Sequence, residues 1–137
     1  MNTNDKGKLA ELKCLTEYVE LGYKVLIPFG QNARYDFVIE KDNIYQRVQV
    51  KTGRIVNGVV RFQTSTTYNV SKENRVEKSY DKSDIDCFIV WVRELNEFYV
   101  MSVEEARQQQ AQSLRLTDPK NNHSKRIKYA KDYKLRK

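Results

Sequence analysis

The stretch that decides the fold runs from Arg34 to Lys51. It comprises Arg34–Glu40 (RYDFVIE), a polar turn Lys41-Asp42-Asn43, and Ile44–Lys51 (IYQRVQVK). Both flanking runs are rich in β-branched and aromatic residues, and the turn between them is three residues long. That pattern predicts two strands joined as a hairpin. In the second strand the alternation is clean from Arg47 onward and only approximate before it, with Ile44, Val48 and Val50 assigned to the inner face. Residues two apart on a strand share a face, so Gln49 and Lys51 lie together and Asp36 meets them across the ladder. Asp36 stands among Tyr35, Phe37 and Val38, and Lys51 follows Val-Gln-Val. A charge at the edge of an apolar strand needs a partner.

Outward from this pair the rest of the fold follows. Upstream, Leu9, Leu12, Leu15, Tyr18 and Val19 recur at three- and four-residue spacing and Gly22 follows, which predicts a helix with a left-handed stop. Tyr23–Ile27 reads as a strand closed by Pro28, with a turn at Gly30-Gln31-Asn32. Downstream, Arg54–Val56 and Val59–Thr64 flank Asn57-Gly58, the strongest local signal in the chain and one that favours a type I′ hairpin. Residues 67–84 read as polar and irregular. Cys87–Arg93 (CFIVWVR) is a buried strand and Glu97–Met101 its partner. Ser102-Val-Glu-Glu105 is a capping box that predicts a helix from Val103 to about Gln112. Beyond it, only Ile127–Ala130 suggests a short amphipathic turn. The predicted architecture is α/β (α+β): one domain over residues 1–137, a mixed β-sheet flanked by helices, with a protruding β-hairpin.

Composition narrows the function classes. Residues 1–110 carry 16 Lys/Arg against 16 Asp/Glu, whereas residues 111–137 carry nine basic residues against Asp118 and Asp132. The whole net charge of +7 therefore lies in the last 27 residues. Basic side chains displace condensed counterions from phosphates, so a basic segment beside a neutral body points to a polyanion. A solubility tail would look the same. A membrane surface fits less well, because the segment has no Trp or Phe to insert. No run approaches the roughly 20 apolar residues of a membrane span, and the polar N-terminus does not read as a secretory signal. Cys14 and Cys87 lie in apolar runs without CxxC spacing and read as small core residues of a cytoplasmic protein. No GxxxxGK[ST] loop is present, so no nucleotide-driven function is expected. His123, the sole histidine, reads as a solvated loop residue.

Asp36, Gln49 and Lys51 together supply what phosphodiester hydrolysis requires. A hard carboxylate holds a divalent cation, which polarises the phosphate and acidifies an attacking water. An ammonium orients that water or stabilises the developing charge. Mg²⁺ keeps several waters, so one carboxylate, an amide oxygen and the backbone carbonyl of Val50 make a plausible sparse site, with Glu11 of the first helix adding a carboxylate through a bound water. An Asp facing a Lys across two strands is equally the pattern of an ordinary surface ion pair. The Asn57-Gly58 hairpin has the shape of a ribbon that enters a major groove. Arg54, Arg61 and Gln63 suit base edges, and Ser65 and Thr66 lie beside them. Lys72, Arg75, Lys125, Arg126 and Lys128 suit phosphates.

A helix bearing Glu11, followed by RYDFVIE and QRVQVKTG, resembles the PD-(D/E)xK nuclease superfamily. Within it, the late run DIDCFIVWV and the basic segment DPKNNHSKRIKYAKDY are similar to the bacterial, cyanobacterial-type group I intron-encoded homing endonucleases. The resemblance covers nearly the whole chain. It implies a restriction-endonuclease-like core, Asp36 as metal-binding acid, Lys51 as catalytic lysine, Glu11 as helix-borne acid, and Mg²⁺ (or Mn²⁺) as cofactor. It further implies a site-specific endonuclease of double-stranded DNA that acts as a homo-oligomer, dimer or tetramer. The departure is Gln49, where the superfamily carries Asp or Glu; an amide ligates Mg²⁺ without bringing charge. Two other readings share the same residues: a Holliday-junction resolvase, and a DNA-binding protein with an inactive nuclease core.

Overall fold

The computed structural model describes residues 1–69, 71–117 and 127–135. Its first element, α1 (Thr3–Glu20), is capped by Asn2, whose side-chain oxygen accepts from the Asp5 amide at 2.9 Å. It ends at Leu21 and Gly22, the latter at φ 91°, a left-handed turn that glycine adopts freely. The buried stripe is Ala10, Cys14 and Tyr18; Leu12 and Val19, which the periodicity assigned to the apolar face, are exposed. Small residues at 10 and 14 let the helix approach the sheet closely, which leucine spacing alone does not reveal.

The sheet has seven strands. They are β1 (Lys24–Leu26), β2 (Phe37–Lys41), β3 (Ile44–Val56), β4 (Val59–Gln63), then β7 (Cys87–Val92), β8 (Glu97–Ser102) and β9 (Ala111–Arg115). A separate two-stranded hairpin pairs β5 (Ser65–Asn69) with β6 (Arg75–Ser79). The long β3 is the spine of the molecule. Its first part runs antiparallel to β2, its middle parallel to β7 through Val48–Gly53, and its end antiparallel to β4. This mixed α+β arrangement is the restriction-endonuclease-like class that the sequence implies.

All six residues of β7 are buried, and they alternate between two cores. Cys87, Ile89 and Trp91 pack with Val48, Phe37 and the α1 stripe. Phe88, Val90 and Val92 pack with Val60, Tyr80, Tyr99 and Leu114 on the other face. Such double-sided burial explains the unbroken apolar run. The two cysteine thiols are buried in the α1-side core. Gly53 is where β3, β4 and β7 come closest. A Cβ there would lie 2.9 Å from Val60 and Val90 methyls and 3.0 Å from one of Val92.

Several expectations are corrected. Ile44 is exposed, because β2 and β3 extend past the core at their joining turn. The helix after Ser102 is only α2 (Val103–Ala106); Arg107 and Gln108 take left-handed conformations and the chain turns into β9. The segment 67–84 is not irregular, since it supplies most of the β5–β6 hairpin. Residues 127–135 are stitched to the body. Lys128 accepts from the Arg115 amide at 2.7 Å, and Tyr133 accepts from the Val100 amide at 2.7 Å. The short amphipathic turn expected at Ile127–Ala130 does not form there; a 3-10 turn follows instead at Ala130–Asp132. His123, Lys125 and Arg126 lie outside the described residues. No helix among the described residues is long and apolar enough to cross a membrane.

Candidate active site

Asp36 sits one residue before β2, and the register of Phe37 with Val48 places it opposite Gln49. Its amide donates to the Val48 carbonyl at 2.8 Å, and its Oδ2 accepts from the Val50 amide at 2.7 Å. The acid is thus held by two consecutive rungs of the β3 backbone, while its second oxygen makes no protein hydrogen bond among the described residues. In a strand, one residue's N–H and C=O point to the same edge. The Val50 carbonyl therefore faces the Asp36 side, not β7, and is available as a donor there.

Lys51 points its ammonium at the Ser65 carbonyl, 3.3 Å away. Burial lowers its pKa; the Asp36 charge opposes that shift and the Arg34 charge adds to it. Burial raises the Asp36 carboxyl, against the pull of the Val50 amide and the Lys51 charge. Glu11, on α1 between the buried Ala10 and Cys14, is raised by burial and then by the Asp36 charge. Two desolvated carboxyls that feel each other, beside one desolvated ammonium, form a coupled charge cluster. Gln49 is half-buried and its amide makes no protein hydrogen bond among the described residues.

Among the described residues there is no group of three or more His, Cys, Asp or Glu side chains placed to hold a metal. The available donors are hard oxygens: Asp36, the Val50 carbonyl, the Gln49 amide and Glu11. That set fits Mg²⁺, which takes few protein ligands and retains water, and it does not fit a soft metal. A cation would also offset the Asp36 charge that helps to raise Glu11.

The residues assigned to DNA separate in space. Arg54 lies directly opposite Arg61, both exposed, and β9 runs along the far side of β4 with Ser113 opposite Arg61. Gln63 is exposed at the end of β4. The Asn57-Gly58 turn forms as expected, with both residues at positive φ (52° and 74°). Among the described residues neither arginine forms an ion pair, and like charges directly opposite on a sheet repel. Ser65 and Thr66 do not line this hairpin. They open β5, Ser65 is buried, and Thr66 is hydrogen-bonded through its hydroxyl to that of Tyr80. Lys72 and Arg75 are exposed at the far end of the β5–β6 hairpin, and Lys128 is half-buried on the stitched segment.

Two residues around Lys51 escaped the sequence reading. Tyr80 follows β6 and carries the Lys51 ammonium 5.4 Å from its ring centroid. Arg34 stacks its guanidinium on the same ring at 3.9 Å and pairs with Asp84 at 2.6 Å. Arg34 precedes Asp36 by two; the strand expected from Arg34 begins only at Phe37, and residues 34–36 form a bend that turns Arg34 toward Tyr80. Asp84 and Asp86, just before β7, each hold an arginine, Arg34 and Arg47 respectively.

A family model described as PD-(D/E)XK endonuclease matches residues 1–136. Among solved structures, that of the bacterial homing endonuclease I-Ssp6803I matches with a TM-score of 0.78 and 25% identity, over 98% of this chain and 89% of that one. No curated protein matches. With the match spanning nearly every residue, including Asp36, Lys51 and Glu11, the chain belongs to the PD-(D/E)XK endonuclease family.

Proposed function

We propose that this protein is a Mg²⁺-dependent, site-specific endonuclease of double-stranded DNA, a homing-type enzyme whose catalytic residues are Asp36, Lys51, Gln49 and Glu11. The carrying observation is the coupled cluster of Asp36, Glu11 and Lys51, desolvated together at the edge of β3. Asp36, Gln49, the Val50 carbonyl and, through water, Glu11 would hold the metal. When bound it supplies a polarised phosphate and an acidified water. Lys51 keeps its ammonium directed at the same edge and offsets charge that develops on the phosphate. The Asp36–Val50 hydrogen bond fixes the carboxylate before substrate arrives.

Duplex DNA as substrate is supported by the exposed Arg54–Arg61 couple, which forms no ion pair among the described residues and whose repulsion a polyanion neutralises. A chain of this size covers one half-site, so cutting both strands of a target implies at least a dimer. The homing reading is favoured over a junction resolvase by the match to a bacterial homing endonuclease along nearly its full length. The test is selection of cleaved molecules from a random duplex library with Mg²⁺. Recovery of one recurring sequence supports the reading; cleavage confined to four-way junctions, without sequence preference, contradicts it.

A further inference from the structure

The hydrogen bonds and ring contacts around Lys51 form a device of their own. Its ammonium is bounded by the Ser65 carbonyl at 3.3 Å and by the Tyr80 ring at 5.4 Å. These two groups are not independent. The Tyr80 hydroxyl is bonded to Thr66, the residue after Ser65, so ring and carbonyl are tied to one another through the start of β5. The ring is also fixed from outside. Phe88 of β7 meets it edge-on at 5.5 Å, with planes at 90°. The Arg34 guanidinium covers it at 3.9 Å, and Arg34 is itself anchored to Asp84 at 2.6 Å and to the Ser79 carbonyl at 3.0 Å. Tyr80 is buried, and among the described residues no buried side-chain polar atom lacks a hydrogen-bond partner. A lysine ends a flexible stem of four rotatable bonds, so an ammonium at a reacting centre needs such walls.

We propose that Tyr80 is the positioning residue of Lys51: its ring, clamped by Arg34 and tied through its hydroxyl to Thr66, holds the ammonium against the Ser65 carbonyl. This rests on the nuclease reading above, in which Lys51 acts on the phosphate. The β5–β6 hairpin thereby becomes a supporting wall of the active site, joined to the entry of β2 through Arg34.

The test compares Tyr80→Leu, Tyr80→Phe and Arg34→Gln with wild type on the selected duplex. It uses single-turnover cleavage, equilibrium DNA binding without metal, and the proton shifts of the Lys51 side-chain methylenes, assigned with Lys51→Arg. Tyr80→Leu is expected to lower the cleavage rate at least about ten-fold with DNA affinity unchanged, because misplacing a reacting group costs rate more than binding. Tyr80→Phe, which keeps the ring and loses only the hydroxyl tie, is expected within about three-fold of wild type. The Lys51 methylene protons are expected upfield in wild type and Tyr80→Phe, and to return toward ordinary lysine values in Tyr80→Leu. Should Tyr80→Leu not fold, Arg34→Gln keeps the core ring but unclamps it, and a lowered rate with a partial return of the shift supports the proposal. Wild-type rates in Tyr80→Leu or, where that variant does not fold, in Arg34→Gln overturn it, as do ordinary Lys51 shifts in the wild type. Ring-shifted Lys51 in a wild type that cuts no duplex overturns the nuclease reading and leaves the positioning of Lys51 supported.

Discussion

Asp36 accepts a 2.7 Å hydrogen bond from the amide of Val50, the residue between Gln49 and Lys51. One bond therefore sets the distance between the acid on one strand and the Gln-x-Lys segment on the next. It also leaves one carboxylate oxygen and the Val50 carbonyl on the same side. The geometry of the proposed site is thus set by a backbone rung.

Gln49→Glu adds a third carboxylate to a cluster in which burial raises Asp36, and burial and the Asp36 charge raise Glu11. Without metal, its thermal unfolding midpoint is expected below that of wild type; added Mg²⁺ recovers the difference. The Mg²⁺ concentration for half-maximal cleavage is expected to fall by about ten-fold, since ligand charge tunes such sites. An unchanged Mg²⁺ titration contradicts a direct role for Gln49.

Arg54→Ala has opposite expected effects on the two states. The free protein gains up to about 0.5 kcal/mol by losing the repulsion with Arg61. Binding to the preferred duplex loses roughly 1–3 kcal/mol if Arg54 reads a base edge. Thermal unfolding and binding to preferred and scrambled duplexes, measured on one preparation, check both signs.

Gly53→Ala forces a methyl into a space bounded by Val60, Val90 and Val92. The expected cost is about 1–3 kcal/mol of stability, as for an overpacked core. Because Gly53 lies two residues from Lys51 on the same strand face, cleavage is expected to fall as well. Denaturant unfolding and single-turnover rates distinguish the two contributions.

Asp86 provides a pH test of the scaffold. Partial burial raises its pKa, but the Arg47 side chain and amide outweigh that and hold it below the ordinary carboxylate value. A lowered folded-state value means stability present above the unfolded pKa and lost as pH falls through the folded one. Wild type is therefore expected to exceed Asp86→Asn by about 1–2 kcal/mol near neutrality. The gap should shrink as pH drops below the usual Asp range. A gap independent of pH contradicts the assignment.

The sequence displays what local chemistry dictates. Asn57-Gly58 specifies a tight turn, the alternation Val48-Gln49-Val50-Lys51 assigns faces, and both survive in the fold. Tertiary partnerships leave weaker marks. Nothing in Arg107-Gln108-Gln109-Gln110 signals a helix stop, yet two left-handed residues end α2 there; Thr64 hydrogen-bonds the Gln109 and Gln110 backbone and leads β9 onto β4. Tyr80 reads as one more tyrosine in a polar segment, because its significance lies in Arg34 and Lys51, 46 and 29 residues away. The basic segment reads only as a polyanion-binding one, and its residues 127–135 prove to be bonded to β8 and β9.

The most direct measurement is single-turnover cleavage of the selected duplex by wild type, Asp36→Asn and Lys51→Ala, with Mg²⁺ and with chelator. Asp36→Asn retains an oxygen for the Val50 amide, so the fold is kept while the charge is lost. Wild type is expected to cut with Mg²⁺ and not with chelator. Both variants are expected to bind the duplex and cut at least about 100-fold more slowly. Cleavage by either variant at the wild-type rate, or by wild type in chelator, contradicts a metal-dependent centre built on Asp36 and Lys51.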